Sequence, residues 1–179
     1  SRQEFYQQED FLKKCINMIK ECHQKILSVY DCDDFEVISK EDKSPITEAD
    51  RLSNEHICHF LQQLKINHSG VISEENKVDS YQKRKSLRWT WLVDPLDGTK
   101  EFVKKNGQFT VNVGLCDFGV PVFGIVGIPV SGDIYYGVKD IGSFKISSKG
   151  ITPLVITPKD LFVSGVRVVA SSSHMNENT

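Results

Sequence analysis

Two very short links constrain this chain most. Asp117-Phe118-Gly119 and Ser131-Gly132-Asp133 separate apolar, strand-like runs at 109–116, 120–130 and 134–138. A parallel pair needs a crossover of about a dozen residues or more, so links this short dictate antiparallel neighbours. The centre of the chain is therefore expected to fold as a meander. Further strands are expected at 71–73, at 88–93 ending on Asp94-Pro95, at 143–147 and at 167–170, with the polar, basic stretch 76–87 read as a surface loop. Trp89 and Trp91 alternate along their strand and should pack on one face.

Upstream of the meander the period changes. Leu12, Cys15, Ile16, Ile19, Cys22, Ile26, Leu27 and Tyr30 fall on one helical stripe over 11–30. A second helix should begin near Thr47, bury Ala49, Leu52, Ile57, Phe60, Leu61 and Leu64, and end at the turn-rich Asn67-His68-Ser69-Gly70. Two N-terminal helices followed by a mostly antiparallel sheet make an α+β fold rather than a doubly wound α/β one. Hydrophobic residues at 39% and charged residues at 26% suit a globular core and argue against disorder. A formal charge of -2 offers no general attraction for a nucleic acid polymer or an anionic membrane. No apolar run approaches the ~20 residues of a membrane span. The five cysteines are odd in number and contain no CxxC pair, which argues against a disulfide framework or a cysteine zinc site. With no signal-like start, these features lead us to expect a cytoplasmic protein.

The chemistry-bearing residues gather where strands end. Glu74 and Glu75 follow one strand; Asp94 and Asp97 follow another, in Asp94-Pro95-Leu96-Asp97-Gly98-Thr99. Pro95 and Gly98 favour a bend that turns the two aspartates toward one point. Joined by one of Glu74 and Glu75, they would make an all-oxygen site for a hard cation such as Mg²⁺. Solvated acids at strand ends are the competing reading. Asp50 is open in the same way: it is the third helical residue after Thr47 and so completes a capping box, or it serves the acidic site, or both. Gly98-Thr99 is either an ordinary helix cap or the start of a turn whose free N–H groups hold phosphate.

In combination these segments say more. Ser44-Pro45-Ile46-Thr47-Glu48-Ala49-Asp50, Ser73-Glu74-Glu75 and the run from Trp91 through Asp94-Pro95-Leu96-Asp97-Gly98-Thr99-Lys100-Glu101-Phe102 resemble the inositol monophosphatase superfamily in order and spacing. Lys100-Glu101-Phe102, followed by Asn106-Gly107-Gln108-Phe109-Thr110-Val111-Asn112, resembles its 3'(2'),5'-bisphosphate nucleotidase (CysQ-like) branch. The resemblance implies the first lobe of a layered αβαβα sugar-phosphatase fold. It also implies Mg²⁺ as cofactor, with Glu74, Asp94, the Leu96 backbone carbonyl and Asp97 as ligands. Asp50, Glu74 and Thr99 become the residues that prepare a water, and Gly98 and Thr99 the phosphate-facing backbone. Lys100, Ser173 and His174 become candidate substrate contacts. The implied reaction is lithium-sensitive hydrolysis of the 3'-phosphate of 3'-phosphoadenosine 5'-phosphate, a small nucleotide, to AMP and phosphate.

The chain departs from the family pattern in two ways. It has no Trp-Asp-x-x-Ala-Gly segment, so residues 1–165 read as an N-terminal metal-binding lobe and 166–179 as the start of a second α/β lobe. Ser172 also stands where the nucleotidases often carry arginine. An inositol phosphate phosphatase and a non-catalytic interaction lobe are the alternatives. Either way, self-association or pairing with a C-terminal lobe is expected.

Overall fold

The computed structural model describes residues 4–32, 36–39 and 45–156. The expected strand at 167–170, the boundary at 165/166, and Ser173 and His174 lie outside the described residues. A 3-10 turn at Phe5–Gln7 leads into α1 (Glu9–Tyr30). A two-stranded ribbon, β1 (Val37–Ser39) with β2 (Pro45–Thr47), runs directly into α2 (Glu48–Gln63). Then follow β3 (Ser69–Ser73), a short α3 (Tyr81–Lys85), β4 (Trp89–Asp97), a short α4 (Thr99–Val103), β5 (Thr110–Asp117), β6 (Val120–Gly127), β7 (Ile134–Val138), β8 (Gly142–Ser147) and β9 (Gly150–Pro153).

Strands β3 to β9 form one sheet in sequence order. Every neighbouring pair is antiparallel except β3 with β4, which is parallel. That exception follows from its connection: residues 74–88 are long enough for a crossover and contain α3, capped by the Ser80 hydroxyl accepting from Lys83 N. The stretch expected as a plain loop thus holds one helical turn.

The core lies between this sheet and the two long helices. Phe11, Cys15, Ile19, Cys22 and Ile26 of α1 share a buried cluster with Ala49, Ile57 and Leu61 of α2 and with Trp91, Val93, Val113, Leu115 and Ile125 of the sheet. Trp89 and Trp91 both face it: Phe11 stacks on Trp91 at 6.3 Å, and Phe5 meets Trp89 edge-on at 5.0 Å. Lys105 closes the C-terminal end of α1, its ammonium donating to the Tyr30 and Cys32 carbonyls, where the helix dipole favours a cation.

Neither α1 nor α2 packs on the opposite face of the sheet, where the crossover that contains α3 brings Leu87 against Gly70. Register places Leu92, Gly114, Gly124 and Gly137 in one row across four strands, and Leu92 is 45% exposed. Ile72, Val78, Leu92 and Val126 line a trough of about 550 Å³ there, whose lining also includes Glu74 and Asp94.

The structure differs from expectation most usefully at β4. The strand does not stop at Asp94-Pro95; it runs on to Asp97, with a register shift against β5 between Asp94 and Asp97. Proline lacks an N–H for the ladder, so it is tolerated where the pairing is irregular. The ribbon β1–β2 and the edge strand β9 escaped the sequence reading. Each is only three or four residues long, and β9 is exposed throughout, so it has no in–out alternation to detect.

Candidate active site

Asp94 and Asp97 come from the irregular end of β4 and Glu74 from the residue just after β3, so a parallel pair of strands delivers all three carboxylates to one end of the sheet. Glu74 N donates to Val93 O at 3.1 Å, which ties its backbone beside Asp94. Between the two open possibilities at 74 and 75, the Glu74 carboxylate is the one that acts on Asp94.

Asp94 carries the strain of this arrangement. Its Oδ1 is shut off from solvent without a hydrogen-bond partner. Burial, then the Glu74 and Asp97 carboxylates, push its pKa up to about 7, while the Leu96 backbone N–H opposes the rise. A buried, unsatisfied carboxylate oxygen beside two more anions is the chemistry a hard divalent cation relieves. These residues therefore fit Mg²⁺. The carboxylates do not close a cage by themselves: among the described residues no group of three or more His, Cys, Asp or Glu side chains is gathered tightly enough to hold an ion alone. Asp97 is exposed, and Asn112 Nδ2 donates to its Oδ2 at 3.3 Å, with Thr110 Oγ1 donating in turn to Asn112 Oδ1 at 3.2 Å.

Asp50 closes the capping box and also reaches Thr99. As the third residue of α2 it accepts from Thr47 N at 2.8 Å and Thr47 Oγ1 at 2.6 Å, both on Oδ2, closing back on the helix cap. Its other oxygen, Oδ1, accepts from Thr99 Oγ1 at 3.0 Å. Thr99 Oγ1 also lies 3.3 Å from the Leu96 carbonyl. One hydroxyl proton serves both acceptors, so Asp50, Thr99 and the Leu96 carbonyl are fixed together.

Gly98 makes this possible. Its φ is +96°, and a Cβ there would lie 2.8 Å from the Gln108 carbonyl oxygen. Only glycine meets both conditions. It caps α4, whose first N–H groups stand outside the helix's own hydrogen-bond ladder. Lys100 sits exposed on that helix.

Sequence reasoning missed the residues that hold these parts in place. Ser53 Oγ donates to the Pro95 carbonyl at 2.8 Å, and Asn54 bonds to Ser73 and Asn76 on either side of Glu74. A signal was present: Ser53 and Asn54 are polar residues three and four positions after Asp50, on the buried side of an amphipathic helix.

Comparison with known proteins identifies the family. The profile of the inositol monophosphatase family matches residues 7–179. The chain is 40% identical over 125 residues to the 3'(2'),5'-bisphosphate nucleotidase CysQ of Escherichia coli strain K12, an alignment covering 69% of this chain and 50% of that protein. It spans about half the length of the curated relatives it matches. Among solved structures, CysQ from Bacteroides thetaiotaomicron superposes with a TM-score of 0.70 at 35% identity, covering 95% of this chain and 65% of that one. The suhB protein of Bartonella henselae shares the fold at a TM-score of 0.67 and 20% identity, over 76% of this chain and 52% of that one. A family profile matching nearly the whole chain, joined to the Asp94-centred carboxylates and the Asp50–Thr99 pair, makes this chain a member of the inositol monophosphatase family, of its CysQ-like branch.

Proposed function

We propose that this chain carries the metal-holding part of a Mg²⁺-dependent phosphomonoesterase that removes the 3'-phosphate of 3'-phosphoadenosine 5'-phosphate to leave AMP and phosphate. The observation that carries the reading is Asp94 Oδ1, buried and unpartnered on a carboxyl that the Glu74 and Asp97 charges act on. Glu74, Asp94, Asp97 and the Leu96 carbonyl would hold Mg²⁺. When bound, the ion supplies positive charge that neutralises phosphoryl oxygens and acidifies water.

The chain's own residues do the rest. Thr99 Oγ1 directs its proton toward Asp50 Oδ1, so its lone pairs face outward as acceptors for a water. A proton leaving that water passes to Thr99 Oγ1 as the Thr99 proton moves toward Asp50. The two Thr47 donors occupy Asp50 Oδ2, so Oδ1 is the atom that takes up this charge. The turn at Gly98-Thr99 presents backbone N–H groups to the departing phosphate. Lys100 supplies a cation for a polyanionic nucleotide, which supports the nucleotidase reading over an inositol phosphate. The trough on the sheet face away from α1 and α2 includes Glu74 and Asp94 in its lining, and we assign that face to pairing with further polypeptide of the kind its longer relatives possess.

Phosphate release from 3'-phosphoadenosine 5'-phosphate and from inositol 1-phosphate, each with Mg²⁺, tests the reading. Faster release from the nucleotide is expected. Faster release from the inositol ester overturns the substrate assignment.

A further inference from the structure

Glu74 lies in a turn that a single side chain of α2 grips on both sides. Asn54 is 9% exposed. Its Oδ1 accepts from Ser73 Oγ at 2.6 Å, and its Nδ2 donates to Asn76 Oδ1 at 2.9 Å. Ser73 ends β3, and Asn76 N closes the turn by donating to the Ser73 carbonyl at 3.2 Å. Cys58, one turn along α2, completes the ring: its Sγ lies 3.5 Å from Asn54 Oδ1 and 3.4 Å from Asn76 Nδ2. Ser73 Oγ also accepts from Glu75 N at 3.4 Å. The same helix fixes the other parts of the site, through Ser53 on the Pro95 carbonyl and Asp50 on Thr99.

We infer that Asn54 is a positioning residue for Glu74: by clamping residues 73 and 76 to α2 it sets where the Glu74 carboxylate stands relative to Asp94. Three observations converge on it. The carboxamide is buried, and both its ends are used. Its partners bracket Glu74 and Glu75 in sequence. Residue 74 is attached to β4 by its N–H to Val93, so the turn has little other freedom. A carboxylate on an exposed turn loses side-chain and backbone entropy when it takes up a cation; a turn already fixed has less to lose. The inference rests on the metal site proposed above. It adds that α2 acts as the template on which that site is assembled, through Asp50, Ser53 and Asn54.

The test measures Mn²⁺ affinity by water-proton relaxation, with circular dichroism to confirm folding, on this chain and three variants. Asn54→Ala removes both arms, Ser73→Ala removes one, and Ile57→Val thins the adjacent core without touching the turn. Partners behind metal ligands typically govern affinity by about 10–100-fold. Asn54→Ala is expected to weaken Mn²⁺ binding by roughly tenfold or more, Ser73→Ala by less, and Ile57→Val not at all. Should Asn54→Ala fail to fold, the Ser73→Ala comparison decides. Folded Asn54→Ala or Ser73→Ala binding as tightly as the wild type overturns the inference alone. An equal loss in Ile57→Val also overturns it, because affinity would then follow stability. A wild type that does not bind Mn²⁺ overturns the metal-site reading, and this inference with it.

Discussion

Asp94→Asn should make the metal-free chain more stable, an unusual result for a buried polar residue. The wild-type carboxyl is raised from 3.8 to about 7. A carboxyl whose folded pKa lies above its unfolded value contributes most to stability below pH ~4, where it is protonated in both states, and loses that contribution as pH rises toward 7. At ~1.4 kcal/mol per pKa unit the full shift would destabilise the folded chain by about 4 kcal/mol at pH 8. Asp94 keeps partial solvent contact, so screening reduces this to about 1–2 kcal/mol. Asparagine removes the charge, keeps an oxygen for the Leu96 N–H, and turns an amide donor toward Glu74. For a chain of this length the gain amounts to about 2–8 °C in melting temperature. Melts in EDTA at several pH values are the assay. The difference between variant and wild type should vanish near pH 4 and grow through pH 7. Saturating Mg²⁺ should raise only the wild type, and so close or reverse the gap. A variant less stable than the wild type at pH 8 in EDTA, or a gap that ignores pH, would refute the reasoning that repulsion around Asp94 awaits a cation.

Three other outcomes are expected. A Cβ on Gly127 would fall 2.2 Å from His23 Nε2 and 2.5 Å from Ile19 Cγ2, so Gly127→Ala should cost about 1–3 kcal/mol in urea melts, and adding His23→Ala should recover part of it; strict additivity of the two would count against this contact. Thr99→Val removes the hydroxyl that Asp50 accepts, and should lower phosphate release by about 100-fold while Thr99→Ser retains most of it; equal losses in both would show that the hydroxyl is not what matters. The sheet face away from α1 and α2, with Leu92 exposed, should drive self-association that Leu92→Lys reduces in light scattering; a wild type that stays monomeric at high concentration would contradict this.

Much of this architecture was legible because it rests on strong local signals. The stripe from Leu12 to Tyr30 and the hairpins at Phe118-Gly119 and Gly132 appear where periodicity and turn residues put them. The parallel pairing of β3 with β4 was not legible, because residues 76–87 read as polar loop and their helical turn is short and exposed. The course of β4 through Pro95 was also hidden, since proline ordinarily ends a strand and only the register shift accommodates it. At the site, Glu74, Asp94, Asp97, Asp50 and Thr99 stood out as an acidic and hydroxyl pattern with a family resemblance. Asn76 and Asn112 did not, because their importance lies in long-range hydrogen bonds that spacing cannot reveal; Ser53 and Asn54 were marked only by being polar on the buried side of α2.

The central claim, that Glu74, Asp94 and Asp97 form a cation site, is tested most directly by isothermal titration of Mg²⁺ into the wild type and Asp94→Asn at pH 8. The account expects a saturable heat in the wild type and none in the variant. Flat traces from both, or the same isotherm from both, would contradict it.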